Sequence, residues 1–88
     1  MFTLEQIRDA VIEAVAEAYD VDSATLTMQT SYTSDLATSS VKVMKMILFT
    51  NENLGFEDDE GLEFEDVANC QVLQDTIDVL AEKYGVAS

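Results

Sequence analysis

The sequence predicts an all-α protein: a four-helix bundle with three main helices, one short helix and a long first loop. Three observations predict it. Three segments repeat apolar residues three and four apart, no segment reads as a strand, and Gly55 and Gly85 fall just past the ends of two periodic segments. The 88 residues, 48% of them hydrophobic, make one domain spanning residues 1–88, near the small end of what folds unaided.

The first helix is predicted over Thr3 to Tyr19. Leu4, Ile7, Val11, Val15 and Ala18 mark its inner face, while Glu5, Asp9, Glu13 and Glu17 lie on other faces. Thr3 with Gln6 three residues on has the pattern of a capping box. Asp20 to Thr38 has no sustained period and is rich in Ser, Thr and Asp, so it reads as a loop pinned by Val21, Leu26, Met28, Tyr32 and Leu36. A second helix runs from Ser39 or Ser40 to about Asn53, with Val43, Met44, Ile47 and Leu48 as its apolar face and Gly55 after its end. The short helix is placed near Glu65 to Asn69. The last helix is placed over about Gln71 to Tyr84, with Val72, Leu73, Ile77 and Leu80 inward and Gly85 closing it. Cys70 lies between apolar positions and reads as a small buried hydrophobe.

Charge and composition exclude much chemistry. Eighteen acids against four bases give a net charge of −14, which repels nucleic acid and anionic membranes and favours protein partners with basic patches. Histidine is absent, which removes Ser-His-Asp and Cys-His catalysis and the usual His/Cys zinc site. A single cysteine allows no internal disulfide and fits a reducing compartment. No apolar run is long enough for a membrane span, since Lys42 and Lys45 break Val41 to Phe49, and the first residues lack the pattern of a secretory signal. These features predict a cytoplasmic, non-catalytic monomer that does not insert into membranes.

Between Glu57 and Asp66 stand seven carboxylates, so a calcium loop has to be tested. An EF-hand needs a carboxylate first and a glycine sixth. Gly61 as the sixth residue makes Phe56 the first, and Gly55 as the sixth makes Thr50 the first, so neither register works. The segment reads as a solvated acidic loop, with loose divalent binding, as in an ion buffer, the weakest functional reading. No specific metal site is expected.

The sharper signal is "SDLATSSVKVMKM", residues 34–46. Thr38, Ser39 and Ser40 compete to cap the second helix. A phosphoester on a serine there would sit in the field of a helix N-terminus. Lys42 and Lys45 follow one turn apart, expected to be exposed because the apolar positions face another way. Lys45 is also within reach of a pairing with the acidic loop.

The segment "DLATSSVKVMKMI" resembles the "DLGADSL" segment and following helix of acyl carrier proteins. Asp35 and Leu36 match its opening Asp-Leu, Ser40 falls on the modified serine, and Val41 replaces the leucine after it. "VDSATLTMQTSYTSDL" is similar to the family's first loop, and "VLQDTIDVL" to its "TVQAAIDYI", including the Ile77-Asp78 pair. The resemblance implies a carrier fold with a 4′-phosphopantetheine arm, taken from coenzyme A, on Ser40, with Ser39 as the runner-up position. It implies an acyl cargo held as a thioester, and as partners a phosphopantetheinyl transferase and acyl-transferring or acyl-activating enzymes with basic surfaces. Val41, Lys42, Met44 and Lys45 would form the partner-recognition face.

Three departures stand beside the match. Ser39 replaces the aspartate of Asp-Ser-Leu, Lys42 and Lys45 replace acids common on that helix, and the acidic loop is longer than in the common form. They imply a carrier in a specialised lipid or secondary-metabolite pathway, outside housekeeping fatty acid biosynthesis. A carrier of aminoacyl or polyketide groups and an unmodified acidic helical adaptor for basic partners remain as alternatives.

Overall fold

The computed structural model describes residues 2–37, 39–57 and 61–86. Among them are four α-helices: α1 (Leu4–Tyr19), α2 (Ser40–Leu54), α3 (Phe64–Ala68) and α4 (Leu73–Lys83). α1 packs along α2 and against α4, and the short α3 joins α2 to α4.

α1 forms as its pattern dictates. The Thr3 hydroxyl accepts from the Gln6 backbone N–H at 3.1 Å, and the Gln6 side chain accepts from the Thr3 N–H at 2.8 Å, which completes the capping box. Ile7, Ala10, Val11, Ala14, Val15, Ala18 and Tyr19 are buried, Leu4 is half-buried, and the four acids of the opposite face are exposed. Ile7, Val11 and Val15 meet Met46 of α2 and Leu73, Ile77 and Leu80 of α4 in one core. Full burial of each such side chain is worth roughly 1.5–3 kcal/mol relative to exposure.

The first loop is tied down along its length. Leu26, Tyr32 and Leu36 are buried, and Val21 and Met28 pack against the core. A single 3₁₀ turn, Ser23–Thr25, begins where the Asp22 carboxylate accepts from the Ala24 N–H at 2.9 Å. Farther on, the loop runs beside the start of α4. The Leu73 N–H donates to the Thr30 carbonyl at 3.2 Å, the Gln74 N–H to Met28 at 3.0 Å, and the Tyr32 N–H to Gln71 at 3.0 Å. The first N–H groups of a helix have no partner within it, and here the loop's carbonyls supply two. The Asp75 carboxylate turns back to accept from the two N–H groups just ahead of α4, Gln71 at 2.9 Å and Val72 at 3.2 Å.

α2 ends at Gly55, whose φ of +74° suits the left-handed closing position. Past the acidic stretch, Gly61 and Leu62 are held from two helices. Asn51 of α2 donates to the Leu62 carbonyl at 3.1 Å and accepts from its N–H at 2.8 Å. From the end of α4, Lys83 donates to the Gly61 carbonyl at 2.9 Å, and the Tyr84 hydroxyl accepts from the Gly61 N–H at 2.6 Å. Phe2, Phe56 and Tyr84 close this end, with Phe56 stacked on Tyr84 at 4.7 Å and Phe2 edge-on to Phe56 at 5.2 Å.

One expectation about α2 is corrected. Its buried side is Met46, Ile47 and Thr50, with Val43 packed beside them, whereas Met44 and Leu48 face outward. The helix is apolar on nearly every side, and its period alone admits two faces. The face carrying Thr50 packs inward, where the threonine donates to the Met46 sulfur at 3.6 Å. The ends of α3 and α4 differ from expectation by one or two residues, Phe64 opening α3 and Val72 standing half-buried just before α4.

Candidate functional site

The loop meets α2 through one left-handed residue. Ala37 has φ of +48°, a conformation that L-residues adopt at a cost of about 1–2 kcal/mol. Buried Leu36 precedes it, and extended Ser39 follows one residue later. Thr38 lies outside the described residues.

Ser39, not Ser40, caps α2. Its hydroxyl accepts from the Lys42 N–H at 3.3 Å, and its carbonyl takes the first helical bond, from the Val43 N–H at 2.9 Å. Ser40 is the first helical residue and is exposed. The competition that the sequence left open is thus divided: one serine serves the backbone, and the hydroxyl of the next is released from capping.

The two lysines part company. Lys45 is exposed, but Lys42 is half-buried, its Nζ 5.7 Å from the centre of the Tyr19 ring. This corrects the expectation that both ammonium groups stand free. Tyr19 is the last residue of α1, so this contact ties the start of α2 to the end of α1. Val41, Met44 and Leu48 are 64%, 56% and 54% exposed. With Lys45 they occupy positions i, i+3, i+4 and i+7, a single outward stripe that starts beside Ser40. Leu48 belongs to this stripe, which the sequence reading missed by placing it in the core. The signal was the apolar series running on from Val41.

Among the described residues the acidic segment's ion pair is made by Lys83, whose Nζ lies 2.7 Å from Asp66 Oδ2, and Lys45 takes no part in it. Burial pushes the Asp66 carboxyl up, but hydrogen bonds from Lys83 and the Glu63 N–H outweigh it and hold the acid below its ordinary value. Asp58, Asp59 and Glu60 lie outside the described residues, and among the rest no three potential metal ligands are gathered. Half-buried Cys70 donates its thiol to the Asp66 carbonyl at 3.2 Å, and burial pushes its pKa up, which favours the inert thiol. No helix among the described residues is long and apolar enough to cross a membrane.

A scan against protein-family models finds none that matches the chain.

Proposed function

We propose that this protein is an acyl carrier in which Ser40 bears a 4′-phosphopantetheine arm. The observation that carries the reading is the division of labour at the start of α2. Ser39 holds the helix cap, so the exposed Ser40 hydroxyl is available for esterification without uncapping the helix. The Asp-Leu opening and the all-helical framework support it further.

The surroundings of Ser40 fit a phosphodiester. The first backbone N–H groups and the dipole of α2 favour an anion there. No acid occurs between Asp35 and Glu52 to oppose one within the neighbouring sequence. In the loading reaction the Ser40 oxygen attacks the β-phosphorus of coenzyme A, the pyrophosphate bond breaks, 3′,5′-ADP leaves, and the hydroxyl proton passes to a base of the transferase. Once attached, the arm supplies the thiol on which the acyl cargo travels as a thioester. The chain itself anchors the arm, keeps the attachment point in solvent and presents a face to partners, while catalysis resides in those partners. This is consistent with the absence of histidine.

The test is intact mass after incubation with coenzyme A and a broad-specificity phosphopantetheinyl transferase. One phosphopantetheine should be added, fragmentation should place it on Ser40, and Ser40→Ala should abolish it while Ser39→Ala retains it. A second reading, an unmodified helical adaptor, is favoured by the serine that replaces the motif's aspartate and by the exposed stripe of α2. An unchanged mass for both the native protein and the transferase-treated protein would decide for it.

A further inference from the structure

We infer that the groove between the N-terminal turns of α1 and the last turn of α2 holds a lysine or arginine of a protein partner, presented on a helix whose bases stand one turn apart. This surface lies at the end of α2 away from Ser40, and it does not depend on whether Ser40 is modified.

The groove has a volume of about 260 Å³, and two chemistries line it. Half-buried Phe2 and Leu54, with buried Ala10, give it apolar ground, and exposed Asp9 and Glu13 bring two carboxylates. The Asn53 amide donates to the Ala10 carbonyl at 3.2 Å, which fixes the two helices against each other there. Asp9 and Glu13 belong to a longer row, Glu5, Asp9, Glu13 and Glu17, all exposed and each one turn from the next. Among the described residues none of these acids has an ion pair, and the base of the same helix, Arg8, is half-buried. Like charges one turn apart repel, so the row is stabilised by a cation that meets it. Apolar ground beside two carboxylates matches a side chain with an apolar stem and a charged head, as lysine and arginine have.

Other occupants fit less well. Two carboxylates fall short of the oxygen shell that calcium takes, and among the described residues no three potential metal ligands are gathered. A second copy would carry the same net charge of −14, and two such chains repel. A small cation would fill the groove but not the row, which spans roughly 18 Å along α1 from Glu5 to Glu17. The spacing of that row, about 5–6 Å per turn, is the spacing that a second helix offers. α2 has 15 residues, so Leu54 stands about 21 Å from Ser40 along the helix axis. A partner seated in the groove leaves the start of α2 open. On the carrier reading, it holds the chain while other enzymes reach the arm.

The experiment measures, by fluorescence anisotropy at low salt, binding of a labelled synthetic helical peptide with arginine at every fourth position to the full chain. Asp9→Asn combined with Glu13→Gln should raise Kd roughly tenfold. Glu65→Gln combined with Glu82→Gln makes the same charge change on exposed acids of α3 and α4, and should raise Kd less than about twofold. Leu54→Ala should raise it about threefold, through lost contact with the arginine stem. Equal losses in the two double variants would mean that bulk charge binds the peptide, and an unchanged Kd in Leu54→Ala would remove the groove; either overturns the inference. The groove double variant should melt no lower than the native protein, since two repelling charges are gone. A lower melting temperature would mean that these acids already have partners, and would overturn it too. Spermine displacing the peptide at equal concentration of charge would assign the groove to a small polycation instead. Saturating peptide should leave modification of Ser40 by a broad-specificity transferase unchanged, and a block would move the peptide to the start of α2. Failure of Ser40 to be modified without peptide removes the carrier reading alone, and the binding series still decides the groove.

Discussion

The hydroxyls of Tyr32 and Thr76 meet at 2.6 Å inside the core, 44 residues apart in the chain. Tyr32 belongs to the first loop and Thr76 to α4, and both are almost wholly buried. Each satisfies a polar atom that the other would strand. Thr76→Val should therefore cost about 1–3 kcal/mol, and Tyr32→Phe a similar amount. The double variant should lose less than the sum, since it leaves no orphan. Urea denaturation of the four proteins measures this coupling, and additive losses would show that the two hydroxyls act independently.

Tyr32 also predicts the response to base. Burial raises its pKa well above the ordinary phenol value, only partly offset by the bond to Thr76. Below the unfolded phenol's pKa of about 10 this contribution to stability is complete. Above it the unfolded chain loses a proton that the folded chain keeps, so stability falls as pH rises. The decline between about pH 10 and 12 should be shallower in Tyr32→Phe, as read from melting curves across that range.

Lys83 and Asp66 predict the response to acid. The Asp66 carboxyl is depressed, so the pair's contribution is present above the unfolded carboxylate value of about 3.9 and is lost as pH falls through the folded one. The side chains are 33% and 24% exposed, which keeps the ion pair itself within about 1 kcal/mol. Lys83→Met should destabilise at neutral pH by about 1–2 kcal/mol, because the bond to the Gly61 carbonyl goes too. The gap to the native protein should narrow below about pH 4.

Two glycines with positive φ should behave differently. A Cβ on Gly61 would run into the Asn51 amide and the Phe56 ring, whereas one on Gly55 meets nothing within 4 Å. Gly55→Ala should cost about 1 kcal/mol for its left-handed backbone alone. Gly61→Ala should cost about 2–4 kcal/mol, as the clash is added to that strain. Equal losses would mean that Asn51 yields freely.

At the start of α2, a thermal series separates the two serines. Ser39→Ala should cost about 1 kcal/mol as a lost cap, and Ser40→Ala should stay within about 0.5 kcal/mol. Ala37→Gly should stabilise by up to about 1 kcal/mol, relief of left-handed strain exceeding the entropy added to the unfolded chain. A larger loss from Ser40→Ala than from Ser39→Ala would transfer the cap to Ser40.

What the sequence made legible follows the physics of each element. α1 was readable throughout, because one apolar face, an acidic back and a capping box all agree. The loop's anchors Leu26, Tyr32 and Leu36 were readable as isolated apolar residues in polar surroundings. The inner face of α2 was not, since Val43, Met44, Met46, Ile47 and Leu48 offer two apolar faces and only packing selects between them. Lys42 was misplaced for a related reason: its partner ring lies on α1, beyond the reach of local spacing. The attachment of the loop to α4 left no mark at all, because the acceptors are backbone carbonyls, which every residue possesses.

That last attachment has a consequence for the nascent chain. While only the residues up to Leu54 have been synthesised, Met28 and Thr30 have nothing to hold, and Tyr32 has no Thr76 to meet. The approach to Ser40 therefore takes its final shape only after α4 has been made. The first loop is made early and fastened last, since its seam with α4 closes only on a chain that already contains both.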